Sequence, residues 1–300
     1  MEELEYEKQN ERSRGSRFWS YASAFLLVLL VFTWIFWGGQ NRSIGNDGIV
    51  LVQKDDSVTT ELPAVWGDLG ARMVAAGVID RKKFLDLYAG RGGISEDDQE
   101  LLDGIGSGKI KAGPSNAGFL LNLFWALGLS NENRILKEGP MADPRYGDPS
   151  GFASTGGWTL AHGNPMDHYS MHAFFVLSAD QQELVERVSK NIYRPCCNNA
   201  THFPDCNHGM AMLGFLELMA SQGAHEEEMY RAAFRMNSLW FPEQYATIAR
   251  YFLSRGMDIN RVDPRELLGA SYSSGSGFQR IAAMVPLEEE RQKPSGGCSA

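Results

Sequence analysis

The stretch of the chain richest in reactive side chains is YRPCCNNATHFPDCNHGMAML, which runs from Tyr193 to Leu213. It contains three of the chain's four cysteines and two of its six histidines. Thiolate sulfur and imidazole nitrogen are the usual ligands of zinc, and soft sulfur ligands also select copper(I). We therefore identify Cys196, Cys197, Cys206 and His208 as candidate ligands of a soft metal ion, either copper or zinc.

The two ends of this stretch must come together before its side chains can bind one ion. Turn-forming residues fill the intervening loop, and Pro195 and Pro204 stiffen its two sides. Asp205 is a favourable N-cap for the helix predicted after it, which places Cys206 in the first helical turn. A helix N-terminus favours the thiolate over the thiol, and the thiolate is the form that binds metals and attacks disulfides.

Two other kinds of site fit the same cysteines. A structural disulfide from Cys196 or Cys197 to Cys206 would close a loop of roughly ten residues and stabilise the fold by about 2–3 kcal/mol. A redox dithiol would use Cys206 as its low-pKa thiol, with the spare thiol reopening the bridge. The sequence lacks C-x-x-C and C-x-x-C-H motifs, which lowers the expectation of thioredoxin-like or haem chemistry. Adjacent cysteines also depart from the ligand spacing of zinc fingers, so the three interpretations stay open.

A second group of candidate ligands precedes the first along the chain. The segment AHGNPMDHYSMHAFF contains half of the histidines, and His168 and His172 lie four residues apart. On a helix this spacing places both imidazoles on one face, as in the H-E-x-x-H zinc motif, although that motif's glutamate is missing here. His168 and His172 are therefore candidate partners of the cysteine cluster. The helix predicted between the two groups is roughly 22 Å long, so they meet only if a loop folds back along it.

Helical periodicity dominates the elements that must position these ligands. Apolar residues recur at three- and four-residue spacing from Leu62 onward, and capping patterns mark predicted helices near residues 95–105, 114–128, 178–193, 206–223 and 242–256. Residues 129–165 are instead rich in Gly, Pro, Asn and Asp, which predicts a long loop. We predict a mainly α fold in which residues 61–285 form one compact, mostly helical domain and residues 286–300 form a disordered tail.

An uncharged apolar run lies near the N-terminus. Residues 18–39 carry no charged side chain, and about 20 apolar residues suffice to cross a bilayer. Bulky Phe36 and Trp37 stand where a cleavable signal peptide would have small residues, which favours an uncleaved signal-anchor. Because basic residues are concentrated before this run, residues 1–17 are predicted to be a cytoplasmic tail. Residues 40–60 are then a linker to an extracytoplasmic domain.

Composition and motifs narrow the class of function. The net charge is −9 and no basic stripe is present, so binding to nucleic acid is not expected and the membrane is the expected partner. No carboxylate pair or nucleophile motif indicates an enzyme, which favours metal sequestration or transfer over catalysis. The leading hypothesis is a membrane-anchored, extracytoplasmic protein that binds copper or zinc. The alternatives are a thiol–disulfide redox protein and an anchored structural or interaction module with a structural disulfide.

Overall fold

The apolar periodicity of the sequence is realised mainly as helix. The computed structural model describes residues 59–104 and 106–285 of the chain. Within residues 59–285, 58% are helical, in twelve α-helices and several 3₁₀ turns, so the mainly α prediction is confirmed for this part of the chain.

Several predictions concern residues outside the described part. They are the cytoplasmic tail 1–17, the signal-anchor 18–39, the linker 40–60 up to residue 58, and the tail 286–300. Among the described residues, no helix has both the length and the apolar character needed to cross a bilayer. The anchor therefore stays a prediction from the sequence.

The first described element is a strand where the sequence predicted a helix. Strand β1, Thr60–Gly67, pairs antiparallel with strand β2, Gly106–Ala112. Leu62, Ala64 and Trp66 are buried, and this two-residue period is that of a strand with one face on a core. The helix predicted from Leu62 is therefore wrong up to residue 67, because a distant segment supplies the strand partner that no local pattern indicates.

The helices have the following bounds in chain order. They are α1 Leu69–Ala75, α2 Arg81–Ala89, α3 Glu96–Asp103, α4 Ala117–Ser130, α5 Arg134–Glu138, α6 Ala179–Ser189, α7 Asn207–Ser221, α8 Glu226–Trp240, α9 Pro242–Leu253, α10 Pro264–Leu267, α11 Ala270–Ser273 and α12 Gly275–Met284. The predicted start at Ser178 is confirmed by a full capping box with Gln181 at the head of α6. The predicted start of α9 at Pro242 is also confirmed, since proline lacks the N–H that a first helical turn leaves unpaired.

The predicted loop after α4 is organised by short-range turns. Besides α5, it contains four single-turn 3₁₀ helices, each with proline in its first turn. Three of them are capped by the side chain before the proline, at Asp143, Asp148 and Asn164. The loop therefore has a defined path, although it has little regular structure.

Helices α4 and α7 form the centre of the core and cross at two glycines. A Cβ on Gly128 would lie 2.1 Å from the carbonyl oxygen of Met210, and one on Gly214 would lie 2.5 Å from the nitrogen of Gly128. One turn away, the rings of Phe124 and Phe215 stack with centroids 4.7 Å apart. This close crossing holds α7 rigidly, and with it the cysteine at its N-terminus.

Candidate metal centre

Helix α7 begins at a cysteine. Cys206 is its N-cap, and the Sγ atom accepts a hydrogen bond from the backbone N–H of Gly209 at 3.4 Å. The prediction that Asp205 caps this helix is wrong, because its carboxylate forms an ion pair with Arg194 instead, with Nη2 and Oδ1 2.7 Å apart. The sulfur therefore occupies the positive end of the helix dipole, where a negative charge is stabilised.

A buried arginine closes the cysteine loop. Only 1% of Arg194 is exposed, and its Nε donates a hydrogen bond to the Cys206 Sγ at 3.1 Å. The remaining guanidinium donors reach the carbonyl oxygen of Asn199 at 2.9 Å, that of Phe203 at 3.3 Å and the carboxylate of Asp205. A buried cation is tolerated only when it is paired in this way. Arg194 therefore ties the loop to the start of α7.

Two further contacts dock the same loop on the last helix. The backbone N–H of Gly275 donates to the carbonyl oxygen of Cys197 at 2.7 Å, and that of Ser276 donates to Oδ1 of Asn198 at 2.8 Å. The thiols therefore lie on a segment that is held from both sides. A segment held in this way can present its ligands with little loss of conformational freedom on binding.

The four ligands predicted from the cysteine stretch converge on Cys206. Its Sγ lies 3.8 Å from that of Cys196, and the ligand atoms of Cys196, Cys206 and His208 all lie within 4.8 Å of one another. A second group within the same limit joins Cys197 and Asp205 to Cys206. This cluster could hold a metal ion. All three cysteines are free thiols, so the structural disulfide of the sequence analysis is not formed among the described residues.

Aromatic rings form a wall beside the histidine of this cluster. The imidazole of His208 lies 4.5 Å from the ring of Phe241 and 5.9 Å from that of Trp240, measured between centroids. Both rings belong to the junction between α8 and α9. They restrict the orientations of the imidazole while leaving it partly exposed.

The thiols of Cys196 and Cys206 differ in their affinity for a proton. The pKa of Cys206 is lowered by hydrogen bonds from the Cys196 and Cys197 thiols, and further by His208 and by the charge of Arg194. The pKa of Cys196 is raised by its hydrogen bonds with Cys197 and Cys206, and by burial. In this coupled pair the two shifts therefore favour the thiolate at Cys206 and the protonated thiol at Cys196.

The predicted histidine pair makes contact without a helix. The Nδ1 atom of His168 lies 3.0 Å from Nε2 of His172, and the rings stack with centroids 5.3 Å apart. The contact does not depend on a helix, because a 3₁₀ turn ends at His168 and Ser170 follows with a φ of 54°. The backbone of His172 forms an isolated parallel β-bridge with Asn131, the residue that follows α4. Burial, and secondly the neighbouring imidazole, lower the pKa of His172.

The histidine pair does not join the cysteine cluster. Neither group of three potential metal ligands found among the described residues includes His168 or His172. They stay together as a pair, beside Phe174, whose ring stacks on that of His172. The suggestion that both clusters share one ion therefore has no geometric support in the described part of the chain.

Two buried ionisable residues, Arg194 and Glu217, are not indicated as such by the sequence. Arg194 completes the cysteine site, and the only local signal was that Arg194 and Asp205 bracket the loop with opposite charges. Glu217 lies on α7 with 0% of its surface exposed, and its Oε2 accepts a hydrogen bond from Nδ2 of Asn131 at 2.8 Å. Burial raises the pKa of Glu217 well above its usual value. The one sequence signal for its burial is a glutamate within an otherwise apolar helix.

The site therefore places two thiols, one imidazole and one carboxylate around the sulfur of Cys206. Such a set can bind a soft cation or exchange disulfides. Comparison with known protein families, with curated proteins and with solved structures finds nothing similar to this chain. The function must accordingly be argued from the chemistry of the site.

Proposed function

We propose that this protein binds one soft metal ion, copper or zinc, through Cys196, Cys206 and His208. The observation that carries the proposal is the 3.8 Å separation of the two sulfur atoms. Two thiolates on one tetrahedral zinc ion, each about 2.3 Å from the metal, lie about 3.8 Å apart. The pair thus already has the spacing that a shared ion requires.

A fourth ligand is available beside these three. The Sγ of Cys197 lies within 4.8 Å of that of Cys206, in the group that also contains Asp205. Closing the coordination with Cys197 gives three sulfurs and one nitrogen, a donor set of structural zinc sites. Leaving that position open gives a three-ligand site that suits copper(I) or a site that passes its ion on.

The charges around the site support a cation between the sulfurs. Arg194 is offset by Asp205, so this pair adds no net charge. Two thiolates then neutralise a divalent ion, and the thiolate of Cys206 is the form favoured before the ion arrives. The Nε–H of Arg194 orients the sulfur from outside, as hydrogen-bonding groups around metal ligands commonly do.

The role that fits this site best is metal sequestration or transfer at a membrane. The exposed position of Cys196 supports exchange of the ion with a second molecule. The uncharged run at residues 18–39 supports a single N-in anchor that holds the domain outside the cytoplasm. Resistance of the full chain to alkaline extraction from membranes, and protease sensitivity of its C-terminal part from outside the cell, test this placement.

Metal content of the purified full chain tests the proposal directly. Apo protein would be prepared with a chelator, reconstituted with zinc(II) or copper(I) and analysed by elemental mass spectrometry. We expect about one equivalent in the wild type and in Cys298→Ser, the control that removes a thiol not among the proposed ligands. Cys206→Ser and His208→Ala should lose most of the bound ion. Full retention in Cys206→Ser, or no binding in folded wild-type protein, would refute the site.

A further inference from the structure

The same two sulfurs are placed for chemistry that needs no metal. The Sγ atoms of Cys196 and Cys206 are separated by 3.8 Å, and a disulfide requires roughly 2.0 Å. Side-chain rotation can cover much of this difference, since Arg194 holds the Cys206 sulfur and the Gly275 N–H holds the loop at Cys197. A disulfide between them can therefore form and reopen with little change elsewhere.

The two sulfurs differ in access. Cys196 is exposed, whereas Cys206 is partly buried at the start of α7. An incoming molecule therefore meets Cys196 first. Thiol–disulfide exchange depends on which sulfur can be reached, so the exposed one is the expected point of attack on a Cys196–Cys206 disulfide.

The two sulfurs also differ as leaving groups. Cys206 accepts hydrogen bonds from Nε of Arg194 at 3.1 Å and from the backbone N–H of Gly209 at 3.4 Å. Both donors are fixed before any bond breaks, and hydrogen bonds from a charged donor are the stronger kind. A thiolate held in this way leaves readily, and it stabilises the reduced form of the pair.

We propose that the metal-free protein oxidises dithiols by disulfide exchange through Cys196 and Cys206. A substrate thiolate attacks the Cys196 sulfur, the sulfur–sulfur bond breaks, and its electron pair goes to Cys206. The second substrate thiolate then attacks the first substrate sulfur, which forms the substrate disulfide and releases Cys196, and Cys196 takes up a proton. Two electrons pass from the substrate dithiol to the pair. A low-molecular-weight disulfide reoxidises the pair by the reverse of the same exchange.

This activity does not depend on the metal proposal. An ion bound by Cys196 and Cys206 occupies both sulfurs, so metal binding and exchange exclude each other. Exchange is therefore measured in the presence of a chelator, and its result stands whether or not the reconstituted protein binds an ion. Cys298 is not among the proposed ligands, so Cys298→Ser is the control for loss of a thiol.

The test equilibrates the full chain with mixtures of reduced and oxidised glutathione, quenches it with an alkylating agent and maps the cysteines by mass spectrometry. We expect a Cys196–Cys206 disulfide in the wild type and in Cys298→Ser. In Cys206→Ser, glutathione should accumulate on Cys196. In Cys196→Ser, Cys206 should carry at least tenfold less glutathione than Cys196 carries in Cys206→Ser. A dominant disulfide through Cys197, or glutathione preferentially on Cys206, would overturn the proposal.

The leaving-group argument has its own measurement. Arg194→Lys keeps the positive charge but cannot reproduce the planar set of donors that meets the sulfur and the carbonyl oxygens. We expect the equilibrium constant for reduction of the Cys196–Cys206 disulfide by glutathione to fall at least tenfold in this variant. Circular dichroism establishes that it is folded. An unchanged constant in folded Arg194→Lys would show that the guanidinium does not stabilise the thiolate.

Discussion

Replacement of the buried Glu217 by glutamine is expected to change how the stability of the protein depends on pH. The carboxyl group is wholly buried, and Nδ2 of Asn131 donates a hydrogen bond to its Oε2 at 2.8 Å. Its Oε1 has no hydrogen-bond partner within the described part of the chain, nor does Nδ2 of Asn133. Among the described residues, no cation contacts the side chain to offset a negative charge. Burial therefore raises the pKa of Glu217.

A raised pKa in the folded state fixes the sign of the effect. The unfolded chain loses the proton near the ordinary pKa of 4.5, whereas the folded protein keeps it to higher pH. The contribution of Glu217 to stability is thus fully present below the unfolded pKa. It is lost as pH rises towards the folded pKa, at about 1.4 kcal/mol for each pH unit within that window.

The Glu217→Gln variant should remove this slope. Its amide cannot ionise, and leaving the amide N–H₂ without an acceptor should cost about 1–3 kcal/mol independently of pH. Urea denaturation from pH 4.5 to 8 would be compared for the wild type, Glu217→Gln and the exposed-site control Glu100→Gln. We expect the difference in free energy of unfolding between the wild type and Glu217→Gln to change with pH. The free energy of unfolding of Glu100→Gln should follow that of the wild type at each pH. Parallel curves for Glu217→Gln and the wild type would refute the argument that Glu217 is folded in its neutral form.

Three further substitutions test the contacts that position the cysteine site. Arg194→Met should destabilise the fold by about 3–5 kcal/mol in urea denaturation, because the carboxylate of Asp205 and two carbonyl oxygens lose their buried partner. Gly128→Ala should cost about 1–3 kcal/mol by the same measurement, since its Cβ would meet the backbone of α7 at 2.1 Å. Ser178→Ala should cost about 0.5–2 kcal/mol, because α6 loses its N-cap.

Matched variants separate these effects from general damage. Arg187→Met removes a half-exposed arginine paired with Glu226 and should change stability by less than about 1 kcal/mol. Gly118→Ala places a Cβ on the same helix as Gly128, where nothing lies within 4 Å. The arginine argument fails if Arg187→Met and Arg194→Met cost the same. The helix-crossing argument fails if Gly128→Ala is as stable as Gly118→Ala.

Features encoded within a few neighbouring residues were predictable from the sequence. The capping box at Ser178 and the proline start at Pro242 lie where the sequence predicts them. The proline-bracketed loop of turn formers also brings Cys196, Cys206 and His208 into one cluster that could hold a metal ion, as the sequence indicates. Each of these features depends on turn and capping chemistry that acts over fewer than about ten residues.

Features that depend on a distant partner were not predictable in this way. The segment from Thr60 to Gly67 is a strand because residues 106–112 pair with it. Asp205 does not cap α7, because buried Arg194 attracts its carboxylate and Cys206 takes the capping position instead. Local propensity is compatible with a helix or a strand in the first case and with either N-cap in the second. Contacts with distant residues in the folded chain determine which one forms.

The residue types at the cysteine site, and hence its soft-ligand chemistry, follow from the order of amino acids alone. Which sulfur carries the charge does not, since that depends on a guanidinium and a helix N-terminus that meet at Cys206 after folding. The neutral state of Glu217 likewise arises from the packing of α7 and from Asn131, which is 86 residues away in the chain. Charge states respond to burial and to neighbours in space, and both are properties of the fold rather than of any short segment.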